Sequence, residues 1–157
     1  MLHTCYLKKD TVYLPTMVSQ GIARYMDVDP VTVVLVADTE GLRQALRDTI
    51  LKENPFRAPT VEDARKPPVI LKYTGDKSWS AFMRGASSWS IYEKDGIFQI
   101  RPYRIHPKGY WEVDRGRSIE FPPGSVLDEV IDRMIAILQS AAGASTRQPP
   151  ATGRKKS

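Results

Sequence analysis

The order of apolar and polar positions divides the chain into strand-like and helix-like segments. Val31-Thr32-Val33-Val34-Leu35-Val36 is a β-branched run with apolar residues on both faces, the pattern of a strand buried in the middle of a sheet. Beyond it, Leu42, Ala45, Leu46, Thr49 and Ile50 recur with the 3.6-residue period of a helix, which Asp38 or Thr39 can cap and Asn54-Pro55 ends. Gly41, near the start, weakens that helix only locally. Residues 54–68 carry Pro55, Pro59, Pro67 and Pro68 among several charges and read as a loop crossing the surface. The short apolar run Val69–Tyr73 predicts a further strand, and Ser78 can begin a short helix reaching Arg84.

From Trp89 onward the pattern is that of a β-meander. Residues 89–94 and 97–105 are joined by Asp95-Gly96, a strong hairpin signal because both positions tolerate positive φ. Lys108-Gly109 turns the chain into residues 110–113, and residues 114–117 turn it again into 118–121. Pro102 implies a bulge or an edge within its strand. Ser125 then stands as N-cap of a second long helix, with Asp128 at capping-box spacing and Val126, Val130, Ile131, Met134, Ile137 and Leu138 on its apolar face. These segments predict an α+β domain over residues 1–140: an antiparallel β-meander with two main amphipathic helices packed on the sheet. Residues 141–157 shift to Ala, Gly, Ser, Pro and Arg and read as a disordered basic tail, while His3 falls in an expected fraying end.

Composition narrows the class. A chain of 157 residues with 41% hydrophobic and 26% charged residues suits one soluble domain, and its apolar stretches are too short to span a bilayer. The first ten residues lack the basic-then-apolar order of a secretory signal, so a cytoplasmic location is expected. Cys5 is the single cysteine, which rules out an internal disulfide. The net charge of +5 first points to nucleic acid, but four basic residues and no acidic one lie beyond residue 140. The expected fold is therefore close to neutral, unlike a domain that carries a phosphate-binding footprint.

Catalytic chemistry has few candidates. His3 and His106 are the two histidines, no Gly-x-Ser-x-Gly elbow occurs, and Gly75-Asp76-Lys77-Ser78 lacks the glycine spacing of a phosphate-binding loop. Neither a cofactor nor a metal site is expected. Arg101, Tyr103, Arg104, His106 and Lys108 form one alternative, a small metal-independent nuclease or phosphate-acting enzyme centred on His106. A generic protein- or nucleic-acid-binding adaptor is another. The favoured candidate is a partner-binding face built from Trp79, Arg84, Tyr103, Arg104, His106 and Trp111, because tryptophan, tyrosine and arginine concentrate binding energy at protein interfaces.

The stretches Pro67–Tyr73, Lys77–Phe82, His106–Trp111 and Phe121–Gly124 resemble those of bacterial contact-dependent growth inhibition immunity proteins, over about residues 30–140. The resemblance implies a non-catalytic, cytoplasmic protein that binds and neutralises a cognate contact-delivered toxin domain, often a nuclease. It also implies no cofactor. An inhibitor of a basic nuclease is often acidic, since opposite potentials steer association, and the near-neutral fold departs from that expectation.

Overall fold

Three antiparallel strands occupy the first 35 residues of the computed structural model, which describes residues 1–146: β1 (Leu2–Lys8), β2 (Thr11–Gly21) and β3 (Arg24–Leu35). They join β4 (Ala86–Lys94), β5 (Ile97–Ile105), β6 (Trp111–Val113) and β7 (Ile119–Glu120) in one antiparallel seven-stranded sheet. The strand order is β3-β2-β1-β4-β5-β6, with β7 also pairing β5. The α+β class and the antiparallel sheet expected from the pattern are both present.

All of the run 31–36 but Val36 lies in β3 at the edge of the sheet, not at its centre. It pairs with β2 alone, and Val33 and Leu35 stay half exposed. β-Branched residues promote extended backbone wherever one partner strand is available, so they signal a strand without fixing its rank in the sheet. The centre belongs instead to β1, whose expected fraying end is fully ordered: His3 is buried beside Ile91 of β4, and Cys5 is buried two residues on.

The hairpin at Asp95-Gly96 forms as expected, both residues at positive φ (54° and 77°). Pro102 falls where the partner of β5 changes from β7, opposite Gln99 and Ile100, to β6, opposite Tyr103–Ile105. Its carbonyl accepts from the N–H of Asp114 in that gap, so the missing donor costs no ladder bond there.

Alternation along the strands sends Cys5, Leu7, Val12, Leu14, Trp89, Ile91 and Ile100 to one face. Two helices cover it: α1 (Thr39–Leu51) and α4 (Leu127–Thr146). The helical period located the buried residues of α1 correctly, from Leu42 through Ile50, and the Asp38 carboxylate accepts from the Gly41 N–H at 2.9 Å. Gly41 is more than a tolerated weak point, because a Cβ there would lie 2.3 Å from that carboxylate. Asp38→Ala should cost about 1 kcal/mol, read as a lower thermal midpoint. Arg43 pairs with Asp132 and Arg47 with Asp128, which clasps α1 to α4.

Two expectations about α4 are corrected. Ser125 does not cap it: its hydroxyl donates to the carbonyl of Pro122 in the preceding turn, the helix starts at Leu127, Val126 stays exposed, and Asp128 is engaged by Arg47. The helix also runs through Thr146 and buries Ala142, so residues 141–146 are not tail. The rest of the expected tail, residues 147–157, lies outside the described residues.

Candidate functional site

The opposite face of the sheet is covered only in part. Residues 69–73, expected as a strand, instead lead into the one-turn helix α2 (Leu71–Thr74), which ends on Gly75 in the left-handed conformation (φ 75°). Pro67-Pro68 before it and Gly75 after it leave the run no strand to pair with. Helix α3 (Trp79–Gly85) follows, with the Ser78 hydroxyl accepting from the Ala81 N–H as expected. Lys8 of β1 anchors the link between the two helices through Asp76 at 2.7 Å, which holds that carboxyl below its ordinary range. Ile70 and Phe82 are driven to full burial against Tyr6 and Val31.

Four rings meet there. Tyr6 stacks on Trp111 at 5.6 Å between centroids and meets Phe82 edge-on at 5.3 Å, while Trp79 and Trp111 meet edge-on at 5.4 Å. Phe82 and Tyr6 are buried; Trp79 and Trp111 keep part of their surface in solvent. The cluster thus has a core side and a wet side.

Beside it opens a cleft of about 790 Å³. It exists because β1 pairs with β2 only over Tyr6–Lys8, after which the strands diverge. The side chain of Asn54 spans the divergence, accepting from the Leu2 N–H at 2.7 Å and donating to the Leu2 and Met17 carbonyls. Residues 57–69 form one wall, Ala23 and the first half of β3 as far as Asp29 another, and Trp79 stands at the junction with the ring cluster. Within the cleft, the Tyr6 hydroxyl donates to Asp27 Oδ2 at 2.6 Å. Burial raises the Asp27 carboxyl to about 6, against the opposing pull of that hydrogen bond, and raises the Tyr6 phenol well above its ordinary value.

The six residues singled out in the sequence are placed as follows. Trp79 and Trp111 touch. Arg84 is exposed at the end of α3, and Tyr103 lies on the same sheet face as Tyr6 and donates its hydroxyl to buried Ser90 at 3.1 Å. Arg104 shares the strand parity of Ile100 and Pro102, which puts it on the helix-bearing side, where it pairs with Glu112 at 2.8 Å. His106 sits in the β5–β6 turn, stacked on Tyr110 at 4.5 Å, with Nδ1 accepting from the Lys108 N–H. Arg101, named with the catalytic alternative, lies over the Tyr92 ring at 3.7 Å, away from His106. Four of the six therefore share the partly covered face, and Arg104 and His106 do not. Sequence reading missed Tyr6 and Asp27, which are 21 residues apart and come from non-neighbouring strands.

Among the described residues no three His, Cys, Asp or Glu side chains gather as a metal-holding group. No described helix is long and apolar enough to cross a membrane. His3, the other histidine, is buried with neither ring nitrogen bonded among the described residues, and burial lowers it to about 4.

A partly covered antiparallel sheet with two helices on its other face defines the class of fold. No protein-family model and no curated protein matches the chain by sequence. Solved structures match it by shape. One is a protein of unknown function, NMB0488, from Neisseria meningitidis: TM-score 0.62 and 16% identity, covering 89% of this chain and 93% of that one. Another is a chain of the CdiA-CT/CdiI toxin and immunity complex from Yersinia pseudotuberculosis: TM-score 0.60 and 13% identity, covering 90% of this chain and 95% of that one. At these identities the likeness is one of fold.

Proposed function

We propose that the protein is a non-catalytic immunity protein, which binds a contact-delivered toxin domain in the cytoplasm and neutralises it. The observation that carries this reading is the end-to-end match in fold to a chain of a toxin and immunity complex. The chemistry of the surface supports it. Trp79 and Trp111 expose part of a ring cluster whose other side is core, so they are held rigid and lose little freedom on binding. Arg84 and Tyr103 extend the same face. Rigid aromatic rings and guanidinium groups beside a concavity are the usual hot-spot chemistry.

The nuclease alternative centred on His106 has less behind it. An acid-base pair needs a partner within hydrogen-bond reach, and the contacts of the His106 ring, the stacked Tyr110 ring and the Lys108 N–H, include no carboxylate or second imidazole. Arg104 is likewise committed to Glu112.

Co-expression tests the proposal. The proposal predicts a neighbouring open reading frame that ends in a toxin domain; that domain should arrest growth of a host when expressed alone, and this protein should restore growth. A folded, expressed protein that gives no rescue would overturn it.

A further inference from the structure

The charges lining the cleft cancel with one exception. Asp63 is paired with Arg57 at 2.8 Å, and Lys66 with Glu62 at 3.8 Å. Asp29 is paired with Lys72 and also accepts from the Tyr73 hydroxyl. Asp27, the deepest of the three carboxylates, is answered only by a neutral phenol at Oδ2, and no hydrogen bond reaches its Oδ1 among the described residues. With its carboxyl held at about 6, the group is mostly ionised at neutral pH, so the cleft keeps a half-buried negative charge with no cation opposite it. Such a charge is costly to bury alone and gains most from a cation brought in by a ligand.

The walls narrow the kind of cation. Trp79 and Tyr25 bring aromatic surface, and Met26, Pro68 and Val69 bring apolar surface, around the path to Asp27. A strongly hydrated ammonium is poorly served by such walls. A guanidinium is flat, more weakly hydrated, stacks on rings, and offers parallel N–H donors to a carboxylate.

We propose that this cleft is a specificity pocket for one arginine side chain of the protein partner, with Asp27 receiving the guanidinium and Trp79 flanking it. The inference rests on the proposed partner-binding function and adds the chemistry that the partner must present. It also accounts for how a near-neutral fold can engage a basic partner: complementarity is concentrated at one buried carboxylate and need not be spread over an acidic surface.

The test needs no toxin, so its failure is separable from failure of the immunity reading. N-acetyl-arginine amide is titrated into the isotope-labelled protein and followed by amide and Trp79 indole shifts. Its neutral isostere, N-acetyl-citrulline amide, is the control. Saturable shifts around Tyr6, Asp27 and Trp79 are expected in the millimolar range, weakened at least about tenfold for citrulline and for Asp27→Asn, with His106→Ala unchanged. The Asp27→Asn side chain can still accept from Tyr6, so its fold should persist; the citrulline comparison on the unaltered protein decides the matter even if it does not. Equal response to citrulline, shifts confined to other surfaces, or no response at all overturns the pocket. Growth protection without arginine binding would remove this inference and leave the immunity function standing.

Discussion

Between pH 6.5 and 4 the unaltered protein should show a nearly flat unfolding free energy, while His3→Leu and Asp27→Asn should slope in opposite directions by about 3 kcal/mol each. His3 is lowered from 6.5 to about 4 by burial, so its contribution is intact above pH 6.5 and is lost as the pH falls through 4. Asp27 is raised from 3.8 to about 6 by burial, so its contribution is intact below pH 3.8 and is lost as the pH rises through 6. The two windows overlap, and the two slopes oppose. With His3→Leu, the Asp27 slope dominates, opposed only near pH 4 by the lowered carboxyls of Asp29, Asp63 and Asp76, and acidification towards pH 4 should stabilise the fold. With Asp27→Asn, only the His3 slope remains, and the same acidification should destabilise it. His3→Leu should also gain about 1 kcal/mol or more at neutral pH, because it removes two buried ring nitrogens that lack partners. Urea unfolding across this range gives all three curves; a common slope for the three proteins would show that neither group is buried as described.

The ring cluster carries the second large effect, and it divides by residue. Phe82→Ala removes a fully buried ring packed on Tyr6, Trp79 and Trp111 and should cost about 3–5 kcal/mol of folding stability. Trp79→Ala and Trp111→Ala remove rings that keep a wet edge, so they should cost less in folding and about 2 kcal/mol or more in binding to the toxin domain. Arg84→Ala should melt close to the parent protein and reveal any contribution to binding without the complication of lost core, whereas Tyr103→Ala also removes the donor to buried Ser90 and should cost about 1 kcal/mol or more of folding stability. Melting and affinity measured on the same preparations separate the two roles. Loss of folding without loss of affinity at Trp79 would assign it to the core alone.

Much of the fold was legible where local chemistry and long-range packing agree. Helix α1 combines a clean period with the Asp38 cap, and the β4–β5 hairpin combines alternating residues with Asp95-Gly96. Strands β1 and β2 were not legible, because both sheet faces are covered along much of their length. Their burial then loses the period-two contrast on which the reading depends, as in the consecutive buried residues Cys5, Tyr6 and Leu7 of β1 and Met17 and Val18 of β2. The run 69–73 was read as a strand because short apolar runs do not distinguish strand from helix; Gly75 as a helix-ending residue was the signal that could have corrected it. The end of α4 was drawn too early, since its last turns are rich in small residues and only packing of Ala142 on the core shows why they stay helical.

The candidate site was legible to the extent that it is aromatic. Trp79 and Trp111 stand out by residue type, and the fold brings them into contact across 32 residues of chain. Asp27 does not stand out, being one of the 18 acidic residues, and nothing local marks it as the carboxylate left without a cation. That property arises only when β1 supplies Tyr6 and the neighbouring loop and α2 neutralise Asp63 and Asp29.

Binding with neutralisation is the central claim, and a stoichiometric titration addresses it most directly. A candidate toxin domain, taken from an open reading frame next to the gene for this protein, is purified and held at fixed concentration, and its activity is followed as this protein is added. The account predicts a linear fall to zero at an equimolar ratio, with no turnover by this protein alone. Undiminished toxin activity in the presence of excess folded protein would contradict it.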